Sequence, residues 1–357
     1  MAKRTWRATP SIVFLICGAL APPMALQAQI PGTPNFTTFQ ATCCGYEFEV
    51  MAINDAGMIV GFYSTSEEGA YLGFVRASDG KITSFHAPDA NGTLPYAINN
   101  RGVTVGAYGA GTTLNGFLRQ PDGEFTTFSV PGAGPAGTGA NAVNSAGVVA
   151  GGYSDANSAF HGLVRAANGT ITTFDAPGAG TGAYQGTSSV SINDAGVVAG
   201  AFADSNGAFH GFVRAANGTI TAFDAPGAGT AANQGTASLA INNAGAIVGH
   251  SIDADNVYHG FVRAGDGTFT TFDAPGAGAG AWQGTALTAL NNKGEVVGSS
   301  IDASNVRHSF VLYPDGAIRA INVPEASQTL ASGINDHGDV AGVYYGPGVV
   351  NGFLWVP

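Results

Sequence analysis

Short apolar runs of about five residues alternate with tight turns along most of the chain. The stretch 188–227 shows the pattern best, with apolar runs at 189–192, 197–202, 209–214 and 219–223. The first two runs are joined by Asn-Asp-Ala-Gly and the last two by Asn-Gly. Asn and Asp side chains hydrogen-bond their own backbone, and Gly accepts a positive φ, so both connections favour immediate chain reversal. The pattern predicts four antiparallel strands in each such unit.

The unit is repeated seven times, and an Asn that follows an apolar residue and precedes a Gly by three positions marks each copy. These residues are Asn54, Asn99, Asn144, Asn193, Asn242, Asn291 and Asn335. Their spacings of 45, 45, 49, 49, 49 and 44 residues are typical of a propeller blade or a solenoid coil.

The fourth run of each unit distinguishes between these architectures. Its two large apolar residues are three positions apart, as in Ile171 and Phe174. Because side chains alternate along a strand, the two point to opposite faces. A sheet that is apolar on both faces has to be covered on both, as a propeller blade is by its two neighbours.

The two ends of the chain complete one another. The last repeat stops after its third run, at 352–355, and the segment 36–39 has the same letters as the fourth run at 269–272. The sequence therefore predicts an all-β, seven-bladed β-propeller with four-stranded blades, in which an N-terminal strand closes the last blade (1+3 closure). Such closure removes exposed strand edges.

The first 28 residues predict a signal peptide. They contain Lys3, Arg4 and Arg7, then an apolar run at 12–26 and a small-residue exit, as secretory signals do. The run contains two prolines and is short for a membrane span. We therefore expect a single propeller domain at 29–357, without a membrane span after cleavage and located outside the cell or in the periplasm.

Cleavage of the predicted signal peptide removes its three positive charges and changes the net charge from −11 to −14. This acidity argues against a nucleic-acid partner, which requires clustered Lys and Arg.

Two adjacent cysteines, Cys43 and Cys44, remain after cleavage. In an oxidising compartment they are candidates for a strained disulfide between neighbours, for bridges to another chain, or for two free thiols. No second cysteine pair or nearby His completes a metal site, and the sequence predicts no metal and no cofactor.

Four repeats carry an Asp six residues before a His. The aspartates are Asp155, Asp204, Asp253 and Asp302, and the histidines are His161, His210, His259 and His308. One hypothesis is a ring of carboxylates and imidazoles that binds a ligand or acts as acid and base. The alternative, favoured by four copies in one frame, is that each His bonds to a carboxylate or loop within its own repeat.

The loops after the fourth run provide the other candidate site. Three of them share Phe-Asp-Ala-Pro-Gly-Ala-Gly and end at Gln185, Gln234 and Gln283, each preceded by a variable residue: Tyr184, Asn233 and Trp282. An exposed aromatic beside an amide is suited to holding a sugar ring, since the ring face covers C–H groups and the amide binds hydroxyls. Packing of Tyr184 and Trp282 against a neighbouring blade is the structural alternative.

The repeated strings Ile-Asn-x-x-Gly-x-Val-x-Gly, His-Gly-Phe-Val-Arg and Gly-Thr-Ile-Thr-Thr-Phe-Asp-Ala-Pro-Gly resemble those of the exported bacterial HAF repeat family. The resemblance spans Phe36 to Trp355 and implies an extracellular or periplasmic repeat protein, without implying an activity or catalytic residues.

No nucleophile elbow, zinc-protease motif or phosphate-binding loop is present. The leading hypothesis is a non-enzymatic scaffold that binds a glycan, another ligand or a protein. The alternatives are a lyase or glycoside hydrolase with its site at the channel mouth, for which His86 and His250 are candidates because they break the repeat, and a purely structural surface protein. The sequence does not indicate the oligomeric state.

Overall fold

The computed structural model describes residues 35–40, 47–64, 70–134, 136–346 and 348–357. In this part of the chain there are 28 strands and no helix, which confirms the all-β class. The predicted signal peptide, Cys43 and Cys44 lie outside the described residues.

The strands form seven groups of four. The chain begins with β1 (Asn35–Phe39). Group 1 is β2 (Glu47–Ile53), β3 (Ile59–Ser64), β4 (Tyr71–Arg76) and β5 (Ile82–Phe85). Group 2 is β6 (Gly92–Ile98), β7 (Thr104–Ala110), β8 (Thr113–Arg119) and β9 (Phe125–Phe128). Group 3 is β10 (Thr138–Val143), β11 (Val149–Ser154), β12 (Phe160–Arg165) and β13 (Ile171–Phe174).

The remaining groups repeat this arrangement. Group 4 is β14 (Gly186–Ile192), β15 (Val198–Ala203), β16 (Phe209–Arg214) and β17 (Ile220–Phe223). Group 5 is β18 (Gly235–Ile241), β19 (Ile247–Ile252), β20 (Tyr258–Arg263) and β21 (Phe269–Phe272). Group 6 is β22 (Gly284–Leu290), β23 (Val296–Ile301), β24 (Arg307–Leu312) and β25 (Ile318–Ile321). Group 7 is β26 (Gln328–Ile334), β27 (Val340–Gly346) and β28 (Val349–Val356), with β1 paired antiparallel to β28.

The seven repeated asparagines form a closed circle of hydrogen bonds. The Nδ2 of each donates to the backbone carbonyl of the asparagine one group further on, and Asn335 donates back to Asn54, at 2.9–3.2 Å. Each Oδ1 also accepts the N–H four residues later in its own turn. The residue thus shapes a turn and joins neighbouring groups.

The apolar core lies between neighbouring groups. In β17, Phe223 packs edge-on against Phe261 of group 5, whereas Ile220 packs in the cluster of Phe174 and Phe212 on the other side. The two residues therefore cover opposite faces, as their spacing predicts. Each large side chain of this kind contributes about 1.5–3 kcal/mol when fully buried.

A glycine in the third strand makes room for the fourth-strand phenylalanine. A Cβ at Gly211 would lie 2.4 Å from the Phe223 ring, and one at Gly352 would lie 2.5 Å from Phe39 of β1. The Gly of the His-Gly-Phe string is therefore required by packing.

The arginines at the ends of the third strands stack on the preceding group. Each guanidinium carbon lies 4.8–5.4 Å from the centre of a phenylalanine ring. The pairs are Arg76–Phe39, Arg119–Phe85, Arg165–Phe128, Arg214–Phe174 and Arg263–Phe223. These five are called the strand-three arginines below. The first pair joins group 1 to group 7.

Antiparallel pairing within each group places the first-to-second and third-to-fourth turns at one edge, called the tight-turn edge. The second-to-third loops and the loops between groups lie at the other, called the long-loop edge. The candidate site residues that the sequence places on loops lie at the long-loop edge. Functional residues are commonly located on such loops.

Candidate functional site

Three loops at the long-loop edge share one backbone arrangement. They connect β13 to β14, β17 to β18 and β21 to β22. Near the end of each loop, one N–H donates to a carbonyl of the second-to-third loop of the same group: Tyr184 to Ser158, Asn233 to Gly207 and Trp282 to Asn256, at 2.7–2.9 Å. The three loops are therefore anchored by the same contact.

The glutamines predicted to bind hydroxyls already have backbone partners. Gln185 Oε1 accepts the N–H of Gly182 at 2.9 Å, and its Nε2 donates to the Ser205 carbonyl of group 4 at 2.9 Å. Gln234 and Gln283 make the corresponding bonds, to the Ala254 and Ala303 carbonyls at 3.1 and 3.4 Å. The amides attach each loop to the next group.

The variable position before each Gln has a left-handed backbone. The φ angles of Tyr184, Asn233 and Trp282 are 64°, 66° and 66°. Asn tolerates this region, whereas bulky residues adopt it at a cost. Tyr184 is nevertheless 69% exposed and Trp282 39% exposed. Tyr184 thus lies largely in solvent, whereas Trp282 is partly exposed and packs beside the Tyr258 ring, with 6.1 Å between the ring centres.

Three of the four histidines lie between two carboxylates of their own group. The Nδ1 of His161, His210 and His259 lies 2.8–3.0 Å from the aspartate that follows the fourth strand, respectively Asp175, Asp224 and Asp273. Their Nε2 faces the aspartate six residues earlier, at 3.8, 3.7 and 3.2 Å. We call these arrangements His clamps, together with the pair His308–Asp302 at 2.9 Å.

Each earlier aspartate also orders its own loop. Asp155 Oδ1 accepts the N–H groups of Asn157 and Ala159, both at 2.8 Å. Asp204, Asp253 and Asp302 accept equivalent bonds. These four predicted site residues are therefore brought together with their histidines, one pair in each group.

The pKa values of two groups in one His clamp, His259 and Asp253, are shifted. Burial opposes protonation of His259, but the hydrogen bonds and charges of Asp253 and Asp273 outweigh it and raise the pKa of the imidazole. Burial likewise opposes ionisation of Asp253, yet the Val257 N–H and His259 lower its pKa. Since the folded-state pKa of His259 is the higher one, the stabilisation is complete below the unfolded pKa and is lost as the pH rises through the folded value.

Replacing Asp253 by Asn should therefore lower the pKa of His259, because one of its two carboxylate partners loses its charge. NMR titration of the imidazole measures this pKa. Asp255→Asn is the matched control, since it removes the adjacent charge, and groups 3 and 4 carry Asn157 and Asn206 at that position. An unchanged His259 pKa in Asp253→Asn would contradict the clamp.

A concavity of about 180 Å³ lies at the other end of the molecule, where the seven first-to-second turns meet. The asparagine circle and the residue after each asparagine line it. Those residues bond to one another, as Ser145 N–H does to Asp194 Oδ1 at 2.8 Å and Asp336 N–H to Asp55 Oδ1 at 2.8 Å. The lining contains no histidine.

The repeat-breaking His250 lies in the interior between groups 5 and 6. It is 6% exposed, and neither ring nitrogen has a hydrogen-bond partner. Burial lowers its pKa to about 4. Its ring packs edge-on against Tyr258, with 5.2 Å between centroids, and Tyr258 in turn lies 6.1 Å from Trp282. His86 is exposed, where other repeats carry the clamp aspartate.

No three His, Cys, Asp or Glu residues of the described ranges are arranged to hold a metal ion. The same ranges contain no helix with the length and apolarity needed to cross a membrane.

The chain is similar to solved β-propeller structures. A virginiamycin B lyase from Staphylococcus aureus aligns at 15% identity and a TM-score of 0.55, covering 91% of this chain and 99% of the lyase. A puromycin hydrolase mutant in complex with PGG aligns at 13% identity and a TM-score of 0.50, over 88% of this chain and 52% of that one. The BP39L lectin from Burkholderia pseudomallei aligns at 13% identity and a TM-score of 0.48, over 75% of this chain and 82% of the lectin.

At these identities the similarity shows a β-propeller fold and no more. No protein-family profile and no curated protein matches the chain. The resemblance to the HAF family therefore stays a prediction.

Proposed function

We propose that the protein is an exported, non-enzymatic, seven-bladed β-propeller that binds a glycan at its long-loop edge. Each strand group is one blade, and β1 closes the seventh. The asparagine circle and the Arg76–Phe39 contact support this closure, because both join group 7 to group 1.

The exposed aromatics carry the functional proposal. Tyr184 and Trp282 occupy a left-handed position that Asn233 fills in the blade between them. A bulky residue there costs folding energy of order 1 kcal/mol or more, and the Tyr184 ring, which is 69% exposed, recovers little of it by burial. Aromatics that reach the surface from strained positions on anchored loops are instead suited to stacking on a ligand.

A glycan is the ligand class that fits the arrangement. A sugar ring presents C–H groups to an aromatic face and hydroxyls to its surroundings. The second-to-third loops beside the aromatics supply carboxylates for those hydroxyls, since Asp155 and Asp253 are about a quarter to a third exposed, at 31% and 26%.

Replacing Tyr184 and Trp282 by Asn should abolish most glycan binding while preserving the fold. Asn233 shows that this loop accommodates Asn, which also suits the positive φ. We expect about tenfold weaker binding per ring, equivalent to about 1.4 kcal/mol. Calorimetry against a panel of neutral, acidic and amine-bearing oligosaccharides measures the affinity, and the melting temperature reports folding.

Tyr313→Asn is a control, since this tyrosine lies in a third-to-fourth turn at the tight-turn edge. Unchanged glycan affinity in folded Tyr184→Asn and Trp282→Asn, or the absence of binding to every glycan of the panel, would refute the proposed site.

A further inference from the structure

The cationic side chains are concentrated at one edge of the molecule. Of the ten Lys and Arg residues in the described ranges, nine lie at the tight-turn edge. They are the five strand-three arginines with Lys81, Arg101, Lys293 and Arg319. The tenth, Arg307, begins β24 at the long-loop edge, where burial lowers its pKa. Ten carboxylates share the tight-turn edge with the nine cations, so that edge is nearly neutral.

The long-loop edge carries the excess negative charge. Twelve carboxylates of the described ranges lie there: the seven of the His clamps, with Glu47, Glu49, Asp89, Asp255 and Glu325. Glu49 is partly buried, and desolvation together with the charge of Glu47 raises its pKa to about 7. Asp175, Asp224 and Asp273 are more than half exposed, at 55–58%. Clustered charges of one sign attract ligands of the other sign.

Buried polar atoms without partners adjoin this surface at Trp282. The hydroxyl of Tyr258 has no hydrogen-bond partner although the residue is only 6% exposed, and the same holds for both nitrogens of His250 behind it. Such atoms are rare, because an unpaired buried polar group costs about 1–3 kcal/mol. In blades 3 and 4 the position of Tyr258 is filled by Phe160 and Phe209, so these two blades lack the hydroxyl. An incoming polar ligand group is a partner for them.

We propose that the glycan bound at the long-loop edge is cationic, a polymer of sugars with free amino groups. This inference rests on the proposed function and specifies its ligand. The sugar rings stack on Tyr184 and Trp282, and the ammonium groups pair with the surrounding carboxylates. A cation beside an exposed Trp face also gains a direct attraction to the ring.

The regularity of the edge favours a polymer with a repeating unit. Blades 3, 4 and 5 present the same loop and the same His clamp, so carboxylates recur once in each blade. A peptide with basic residues offers the charges but no flat C–H faces for both aromatics. The test therefore has to distinguish binding of a basic peptide from binding of a cationic glycan.

Three probes of similar size separate these ligand chemistries. They are a hexamer of β-1,4-linked glucosamine, the corresponding hexamer of N-acetylglucosamine, and hexalysine. Affinities are measured by calorimetry at mildly acidic pH, where amines are protonated and carboxylates ionised, in about 0.05 and 0.5 M salt. We expect the glucosamine hexamer to bind about tenfold tighter than the acetylated one, and the difference to shrink in high salt.

Asparagines at equivalent positions in other repeats indicate which substitutions suit the charge test. Asp255→Asn/Asp273→Asn removes two charges at the long-loop edge, and Asn206 and Asn322 already occupy these positions in other repeats. Asp266→Asn/Asp315→Asn removes two charges from tight turns, where Asn168 and Asn217 are the equivalents. The first variant should bind the glucosamine hexamer about threefold to tenfold more weakly. The second should change its affinity less than twofold.

Each of the other possible outcomes would contradict a different part of the proposal. Equal, salt-insensitive binding of both hexamers would refute the cationic ligand and leave glycan binding intact. Hexalysine that binds as tightly as the glucosamine hexamer, with Trp282→Asn having no effect, would identify a basic peptide instead. Equal losses in both double variants would refute the location. Binding of neither hexamer nor any glycan of the panel would refute the proposed function as well.

Discussion

Replacing Phe39 by Ala should lower the free energy of unfolding by about 3 kcal/mol, because large core side chains cost about 3–5 kcal/mol when truncated and Phe39 is half-buried. Its ring lies over Gly352, meets Phe48 and Phe74 edge-on at 6.1 and 6.4 Å, and carries the Arg76 guanidinium at 5.0 Å. Urea unfolding of the purified protein measures the change. A loss of this size requires β1 to be docked in group 7.

Phe223→Ala is the matched control for this experiment. Phe223 occupies the same position in group 4, over Gly211 and under Arg263 at 4.9 Å. If β1 closes the seventh blade, the two substitutions should cost similar amounts. A normal loss in Phe223→Ala beside a stable Phe39→Ala would show that the N-terminal strand does not close the ring.

His250 should make the fold sensitive to acid. Burial lowers its folded pKa to about 4, whereas the unfolded value is about 6.5. Between these pH values the unfolded chain binds the proton and the folded chain does not, so stability falls as the pH decreases. Two and a half pKa units correspond to about 3 kcal/mol.

The contribution of His250 is obtained from the difference between variants. His250→Ala introduces the residue that group 4 has at this position, Ala201. It should remove about 3 kcal/mol of the acid-induced loss between pH 6.5 and 4, as measured by urea unfolding across this range. His86→Ala, at an exposed position, should leave the slope unchanged. Parallel pH profiles for His250→Ala and the original protein would mean that the folded and unfolded chains bind the His250 proton equally, and would contradict the lowered pKa.

Local features of the fold could be predicted from the sequence, because turn chemistry and alternation act over a few residues. The turn at Asn193 and the opposite-facing pair Ile220 and Phe223 are examples. The circle of asparagines could not be predicted, since the partner of Asn193 Nδ2 is a carbonyl 49 residues away. The repeated Asn already indicated a turn from the sequence. Its hydrogen bond to the next group becomes visible only when the groups are packed together in the structure.

The candidate site was predictable to a similar extent. The spacing of Asp155 and His161 indicated a pair, but Asp175 joins them only because β12 and β13 pair with Gly162 opposite Phe174. The amide of Gln185 bonds to the next group, a contact that the loop sequence does not specify. The concentration of cations at one edge also depends on strand direction, which becomes clear only when each arginine is assigned to a strand end.

Hydrogen exchange in the presence of a bound glycan tests the central claim most directly. Amide exchange would be followed with and without the panel member that binds most tightly. Binding at the long-loop edge predicts slower exchange at 155–159, 182–187 and 280–285, and no change in the turns around the asparagine circle. Protection confined to those turns and the concavity that they line would contradict the account, and would place the binding face at the opposite end of the propeller.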